Sequence, residues 1–532
     1  WGNITGGHKQ GKNVIATANV FYDGSLVNSS SRGPAHDGRI KPDIAANGQN
    51  QISTNENNTY QTFGGTSGAA PGIAGISAQL YQAYGNINGG DFPPSALIKA
   101  TLLNTANEAG NIGPDYKFGW GIVNALQAVK LIEDGRYLSD QVSQGNTNNH
   151  TINVPAGTTQ VRFMVYWSDP AASPGADPAL VNDLDLLVTD PSNNVLEPWI
   201  LDPTPNPVTL DNPATIGPDH LNNVEQVLIN APAAGNYDID ITGFNVPFGP
   251  QEYFVVYELI SENLVMTYPN GGEHFQPFVS ETIHWDEVNT TEDFVLEYSV
   301  DNGSSWNNIA TVPNDTHFYN WTTANEITGN ALIRVTSGAF QDVSDETFNI
   351  ARTTNSYNIV EVCPSSATFE WIAVDGAESY DFYLLGEKYM EVVGTTNTNS
   401  ITIPITNPDD EMWYAISAKN DSEGWEGERT RAKFYAGGIL DCQLGVSENS
   451  IENAVALYPN PATSEVFISI SDKTFSNFDV TIVNSLGQVL ERKTNVDNAS
   501  STSLNVSNYS SGIYFITIKA GESTTTKKLV VQ

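Results

Sequence analysis

Basic residues are scarce in this chain. Against 61 aspartates and glutamates it carries 23 lysines and arginines, a formal charge of −38 over 532 residues. Such a surface repels phosphate backbones and anionic lipid, so nucleic acid and membrane surfaces are disfavoured as partners, while solubility and divalent cations are favoured. Cysteine is scarcer still. Two residues, Cys363 and Cys442, rule out a disulfide-dense scaffold and any multi-cysteine zinc or iron–sulfur site. Long apolar runs are absent as well: nothing approaches the ~20 residues of a membrane span. The opening WGNITGGHKQGK has neither the basic start nor the apolar core of a signal peptide. The chain is therefore expected to begin within a fold or after processing.

Core material is plentiful, with 22 tyrosines and 10 tryptophans, and 44 glycines with 28 prolines point to many turns. At ~100–200 residues per domain, about three to five domains are expected. The charge is unevenly spread. Residues 1–137 hold nine acids and nine bases, and residues 456–532 six of each. Segments 138–262, 263–352 and 353–455 carry −15, −11 and −12. The acidity thus belongs to the middle of the chain, between two neutral ends.

The first segment, 1–137, alternates strand and helix signals. NVIATANV and IKPDIAA read as short strands, and GISAQLYQAYG and SALIKATLLNTA as helices with apolar residues three and four apart. After LIEDGRYL the pattern becomes short alternating runs (TQVRFMVYW, DLDLLVTD, VEQVLI, YDIDITGF) separated by proline, glycine and asparagine, as in a β-sandwich or jelly roll. A second β unit starts near Val265, where the DNG between EYSV and SSWNNI suits a hairpin needing positive φ at glycine. A third starts near Tyr357, residues 439–455 read as a linker, and 456–532 contain about seven alternating runs.

The sharpest feature for chemistry is FGGTSGAAPGIAGISAQLYQAY at 63–84. Two glycines allow a tight turn, Thr66 and Ser67 open a helix, and Pro71 is expected in its first turn. A serine so placed exposes its hydroxyl and holds its N–H in the positive field of the helix terminus, which suits a nucleophile whose adduct becomes an oxyanion. Taken alone, Ser67 reads first as an ordinary helix cap, and it is the wider string that shifts the balance.

Together, KNVIATANV at 12–20, NSSSRGPAHDGRIKPDIAANG at 28–48 and GGTSGAAPGIAG at 64–75 resemble the subtilisin-like serine proteases in motif, order and spacing. The resemblance covers about the first quarter of the chain. It implies that Ser67 is the catalytic serine and that the helix after it is the buried central helix, with Gly72 and Gly75 permitting close packing. Gly68 stands where that family often has a larger residue, and Asn47 replaces part of a proline-containing turn. The family's aspartate, histidine and oxyanion asparagine would precede KNVIATANV. His8 and His36 lack the expected setting and read as solvated loop residues, and Asn3 and Asn47 are poor oxyanion candidates. The resemblance therefore implies an N-terminally truncated secreted serine endopeptidase that is inactive as it stands. Protein or peptide substrates and a monomeric state are expected. A non-catalytic surface adhesin with a remnant protease segment is the competing reading.

The segment 164–199 resembles the β-sandwich that follows the protease domain in one branch of this family. Asp169, Asp177, Asp183, Asp185 and Asp190 fall within 22 positions, with Glu225 further on. Alternation places Asp183 and Asp185 on one strand face, where like charges repel unless solvated or bridged. Asp169, Asp183, Asp185 and Asp190 are the candidate calcium ligands; no cofactor is expected for the chemistry itself. Residues 263–352 resemble an immunoglobulin-like module and 353–438 a fibronectin type III-like module. Trp285, Trp306, Trp371 and Trp413 are expected mainly as core. Cys363 and Cys442 flank the latter module, and a disulfide between them is favoured over two free thiols.

LYPNPATSEVFISI, FDVTIVNSLGQVL and SSGIYFITIKAGESTTTKKLVVQ resemble the C-terminal sorting domain of the type IX secretion system of Bacteroidetes, spanning 456–532. This implies the secretion machinery as a partner and a secreted or cell-surface location. The expected fold class is multidomain, an α/β subtilisin-like partial catalytic domain followed by all-β sandwich domains.

Overall fold

The computed structural model describes every residue except 5, 262, 289, 443–453, 472–475, 498–501 and 522. Most of the expected linker, 439–455, thus lies outside the described residues. The chain divides into two compact units, Trp1–Arg352 with Asn420–Glu428, and Thr353–Lys419 with Arg429–Gln532.

In the first unit the α/β segment is built on two parallel strands, β1 (Thr17–Val20) and β2 (Ile44–Asn47), with Thr17 opposite Ile44 and Val20 opposite Asn47. An exposed hairpin follows, β3 (Gln51–Asn55) and β4 (Thr59–Phe63), and leads into helix α1 (Thr66–Ile87). Helices α2 (Ser95–Asn104) and α3 (Ala125–Glu133) complete the segment. Helix α3 is capped by Asn124, whose side-chain oxygen accepts the Gln127 N–H at 3.0 Å. Helix α2 has all but its first residue buried, because α1 and α3 lie to one side and the next domain's sheet to the other.

That next domain is a sandwich. One sheet runs β12 (Val224–Asn230), β7 (Thr158–Tyr166), β14 (Gln251–Ser261), β5 (Tyr137–Val142); the other runs β6 (Thr147–Val154), β13 (Gly235–Asn245), β8 (Asp183–Thr189), β9 (Val195–Leu196). Two short strands, β10 (Trp199–Ile200) and β11 (Thr215–Ile216), pair in the loop before β12. Strand β7 explains how the domains join. Phe163, Val165 and Trp167 point into the sandwich core, while Met164 and Tyr166 belong to the same apolar cluster as α2 residues Leu97 and Leu102. Both faces of this stretch are buried, so its alternation serves two different cores.

Residues 263–350 form two further sheets around Trp285, Phe294, Trp321 and Phe348. Asn302 and Gly303 both take positive φ, 55° and 78°, in the loop where DNG indicates a turn.

In the second unit, residues 357–419 and 429–435 contribute one three-stranded sheet and a second sheet packed around Phe369, Trp371, Phe382 and Tyr414. Cys363 and Cys442 are joined in a disulfide with a Cα separation of 5.0 Å, as favoured from their placement. Val455–Val531 forms a three-stranded and a four-stranded sheet closing on Val466, Ile482, Ile516 and Leu529. Trp285 and Trp371 are core residues. Trp306 is half-buried beneath the Arg334 guanidinium at 4.2 Å, and Trp413 lies against Phe434 at 4.9 Å.

Candidate active site and an acidic cluster

Ser67 is the second residue of α1 and is exposed. Gly65 precedes it with φ 113°, a conformation that favours glycine, and its carbonyl accepts the Gly68 N–H at 2.8 Å and the Ala69 N–H at 3.3 Å. The turn is locked from below by Gly48, whose carbonyl accepts the Gly65 N–H at 2.9 Å. A Cβ on Gly48 would sit 2.4 Å from the Ala69 nitrogen and 2.5 Å from the Gly65 oxygen, so only glycine fits. Gly68 is similarly confined: a Cβ there would stand 2.7 Å from Gln51 Oε1 and 2.8 Å from the Gly48 oxygen. The smallness of residue 68 is thus matched by the close approach of the AANG backbone.

Two expectations about α1 need correction. Pro71 lies in the second turn, not the first, where its missing N–H leaves the Ser67 carbonyl without the usual donor four residues on. And the helix is not buried. Gly68, Ala69, Ile73, Leu80 and Ala83 face the core, but Ala70, Gly72, Ala74, Gly75 and Ala78 are exposed. Among the described residues nothing comes within 4 Å of a Cβ placed on Gly72 or Gly75. The reason is that α1 packs mainly on β1, β2 and α3, with lesser contact to α2, and the face carrying Ala70, Ala74 and Ala78 is left exposed.

None of the described histidines is hydrogen-bonded to Ser67. His8 and His36 are exposed, the latter with its backbone N–H on Gln10 Oε1 at 3.1 Å. Asn3 Oδ1 accepts the Arg32 N–H at 2.6 Å, and Asn47 Nδ2 donates to the Val20 carbonyl at 3.1 Å, so neither amide is turned to the serine. Beside the turn lies an open cleft of about 920 Å³ lined by Tyr22, Asn47, Gln49 and Gln51 on one side and Phe318 and Asn320 on the other. Its aromatic edge is a T-shaped contact of Tyr22 with Phe318, ring centres 4.9 Å apart.

The four candidate calcium ligands do not gather. Asp169 is buried and paired with Lys12, while its oxygens accept the N–H groups of Val181 at 2.9 Å and Asn182 at 2.7 Å. It therefore anchors the start of the chain to the sandwich. Asp190 is half-buried and closes its own turn by accepting the N–H groups of Ser192 and Asn194, each at 2.8 Å. Those bonds, with one from the Asn194 side chain foremost, hold its carboxyl below the ordinary range. Asp177 is exposed.

Asp183 and Asp185 do share one face of β8, and tertiary structure brings them a partner that spacing did not reveal. His220 Nδ1 lies 2.9 Å from Asp183 Oδ2 and 3.8 Å from Asp185 Oδ1. The imidazole is stacked on Phe244, ring centres 4.3 Å apart, at the bulge where β13 slips register against β8 between Gly243 and Asn245. Glu225, 1% exposed, reaches across from β12 and accepts the Leu186 N–H at 2.7 Å with Oε2. Asp219 is buried beside them and accepts the Leu221 N–H at 2.8 Å and the Asn222 N–H at 3.1 Å. Burial raises all four carboxyls; Asp183 rises to about 7, with His220 pulling the other way, and Glu225 rises well above the usual carboxylate range, with Asp219 adding to the effect. The only sequence signal for His220 is a histidine next to an aspartate in a chain with seven histidines.

Residues 2–121 match the model of the subtilase family, and residues 456–532 match that of the secretion system C-terminal sorting domain. The chain is 27% identical over 327 residues to the serine protease/ABC transporter B family protein tagB of Dictyostelium discoideum, covering 46% of this chain and 17% of that protein. It is 45% identical over 84 residues to the C5a peptidase of Streptococcus pyogenes serotype M18, covering 15% and 7%. To Bacillopeptidase F of Bacillus subtilis it is 30% identical over 122 residues, covering 23% and 8%. The chain spans less than a fifth of the length of each of these relatives. Its N-terminal segment is thus a subtilase segment and its C-terminal segment a secretion sorting domain.

Proposed function

We propose that this chain is part of a secreted endopeptidase that cleaves protein substrates through an acyl-enzyme on Ser67. The observation carrying this reading is the exposed Ser67 hydroxyl on a Gly64–Gly65 turn at the head of a 22-residue helix. There the helix field favours an oxyanion, and the Ser67 N–H is free to donate to it. An imidazole supplied from outside residues 1–532 would take the Ser67 proton, Ser67 Oγ would attack the peptide carbonyl, and a side-chain amide, also from outside, would be the second oxyanion donor. The cleft beside the turn gives a peptide somewhere to lie, with Tyr22 and Phe318 offering apolar contact. Without base and amide, turnover should fall by ~10⁴-fold or more.

A fluorophosphonate probe tests this. The chain as it stands should label negligibly, a version extended upstream should label stoichiometrically, and Ser67→Ala should abolish that labelling. Strong labelling of the unextended chain would refute the need for an external base. The sorting domain supports export by the type IX secretion machinery of a Bacteroidetes-type bacterium to the cell surface or beyond. Secretion that survives deletion of 456–532 would refute it.

A further inference from the structure

The sandwich domain holds a group of side chains for which proteolysis has no use. Asp183, Asp185 and His220 place one donor atom each within 4.8 Å of one another, and Glu225 and Asp219 stand behind them. Four carboxyls and one imidazole leave an excess of negative charge in a largely buried place. An isolated carboxylate there is strongly disfavoured unless it is neutralised or bridged. The hydrogen bonding points the same way. Asp183 Oδ1, Asp185 Oδ1 and Glu225 Oε1 are all buried without a hydrogen-bond partner, although Asp183 is 6% and Glu225 1% exposed. Native structures rarely leave such atoms unmatched. Asp169 and Asp190, by contrast, have their oxygens satisfied by neighbouring N–H groups.

We propose that Asp183, Asp185 and His220, backed by Glu225, bind one divalent cation of the Mn²⁺ or Zn²⁺ class. The imidazole makes the choice of class. Calcium takes oxygen ligands, whereas first-row metals gain from a nitrogen donor among carboxylates. Metal–ligand distances of about 2.1 Å put adjacent donors about 3.0–3.4 Å apart in octahedral or tetrahedral sites. The separations of 2.9 and 3.8 Å from His220 Nδ1 bracket that range. Phe244 holds the ring in plane, and Glu225 presents its free oxygen from the facing sheet. A bound cation would therefore pin the 217–223 loop to β8 where the two sheets meet.

The test uses the full 532-residue chain. After dialysis against MnCl₂, ZnCl₂ or CaCl₂, bound metal is counted by mass spectrometry and affinity is measured by calorimetry. One equivalent of Mn²⁺ or Zn²⁺ is expected, with Asp185→Asn and His220→Ala each weakening it at least tenfold and Glu225→Gln, close to isosteric, doing likewise. Asp190→Asn should leave affinity unchanged, and circular dichroism establishes that each variant is folded. Absence of stoichiometric binding by any of the three cations would overturn the site. Tight binding of Ca²⁺ that His220→Ala leaves unaltered would overturn the assignment of the imidazole as a ligand and with it the metal class. Neither result bears on labelling of Ser67, so this site and the proposed peptidase activity fail independently.

Discussion

Asp43→Asn is the most informative perturbation of the α/β segment. Asp43 sits immediately before β2 at 5% exposure and faces two lysines that are more deeply buried, Lys41 at 1% and Lys99 at 3%. Its Oδ1 lies 2.8 Å from Lys99 Nζ, while its Oδ2 pairs with Lys41 and accepts the Ala16 N–H at 2.7 Å. Asparagine preserves shape and can still accept from Ala16 and Lys41 with its one oxygen, but its NH2 then faces Lys99, so the substitution removes the charge and one acceptor. Two buried ammonium groups then have no counter-ion, and breaking a buried pair in this way costs ~3–5 kcal/mol. At ~1.4 kcal/mol per tenfold, amide hydrogen exchange through opening of β2 and α2 should accelerate by roughly two to three and a half decades. Mass-resolved exchange on peptides covering Ile44–Asn47 and Leu97–Leu103 reads this directly. Acceleration of less than tenfold would show that the network does not hold the segment together. Replacing the trio with Lys41→Met, Asp43→Leu and Lys99→Met should restore protection, because it is the unpaired charge that destabilises. The same trio sets a pH dependence. Burial lowers the Lys41 amine to about 8 from 10.5. Below pH 8 it is protonated folded or unfolded, and its penalty is constant. Between about 8 and 10 the unfolded chain holds more protons, so stability rises with pH. Exchange protection corrected for intrinsic rate should therefore increase across that window; a flat or falling profile would contradict it. Tyr116 and Tyr166, raised by burial, oppose the trend only at higher pH.

Two further outcomes are expected. Cys363→Ser with Cys442→Ser opens a loop of sequence separation 79, which the chain-entropy relation values at about 4–5 kcal/mol; the second unit should melt at least 10 °C lower by calorimetry, and an unchanged transition would refute that role for the bridge. Gly48→Ala forces a Cβ against the Ala69 nitrogen and Gly65 oxygen and must displace the serine turn by several tenths of an ångström. In a probe-reactive, upstream-extended form it should cut the labelling rate about 100-fold while the far end of α1 keeps its exchange protection, and wild-type labelling would refute the locking role of Gly48.

Periodicity was enough for the elements. The runs around Ala18, Ala46, Leu97 and Phe163 each form the strand or helix their spacing indicates, because local burial repeats every 2 or 3.6 residues whatever the partner. Ser67 was legible for a related reason: glycines that permit a turn and a helix that follows are contiguous in the chain, so the whole turn is written in one stretch. What lies on the other side of an element is not written there. Strand β7 belongs to a run read only as alternating, and it is buried on both faces, since α2 covers Met164 and Tyr166. Helix α1 looked buried and exposes a face of alanine and glycine, since small residues tolerate close packing without compelling it. The acidic positions divided in the same way. Spacing joined Asp183 to Asp185, because alternation on one strand is local. Only the fold could take Asp169 away to Lys12, close Asp190 into its own turn, and bring His220 and Glu225 from distant loops and strands to the two carboxylates that remained.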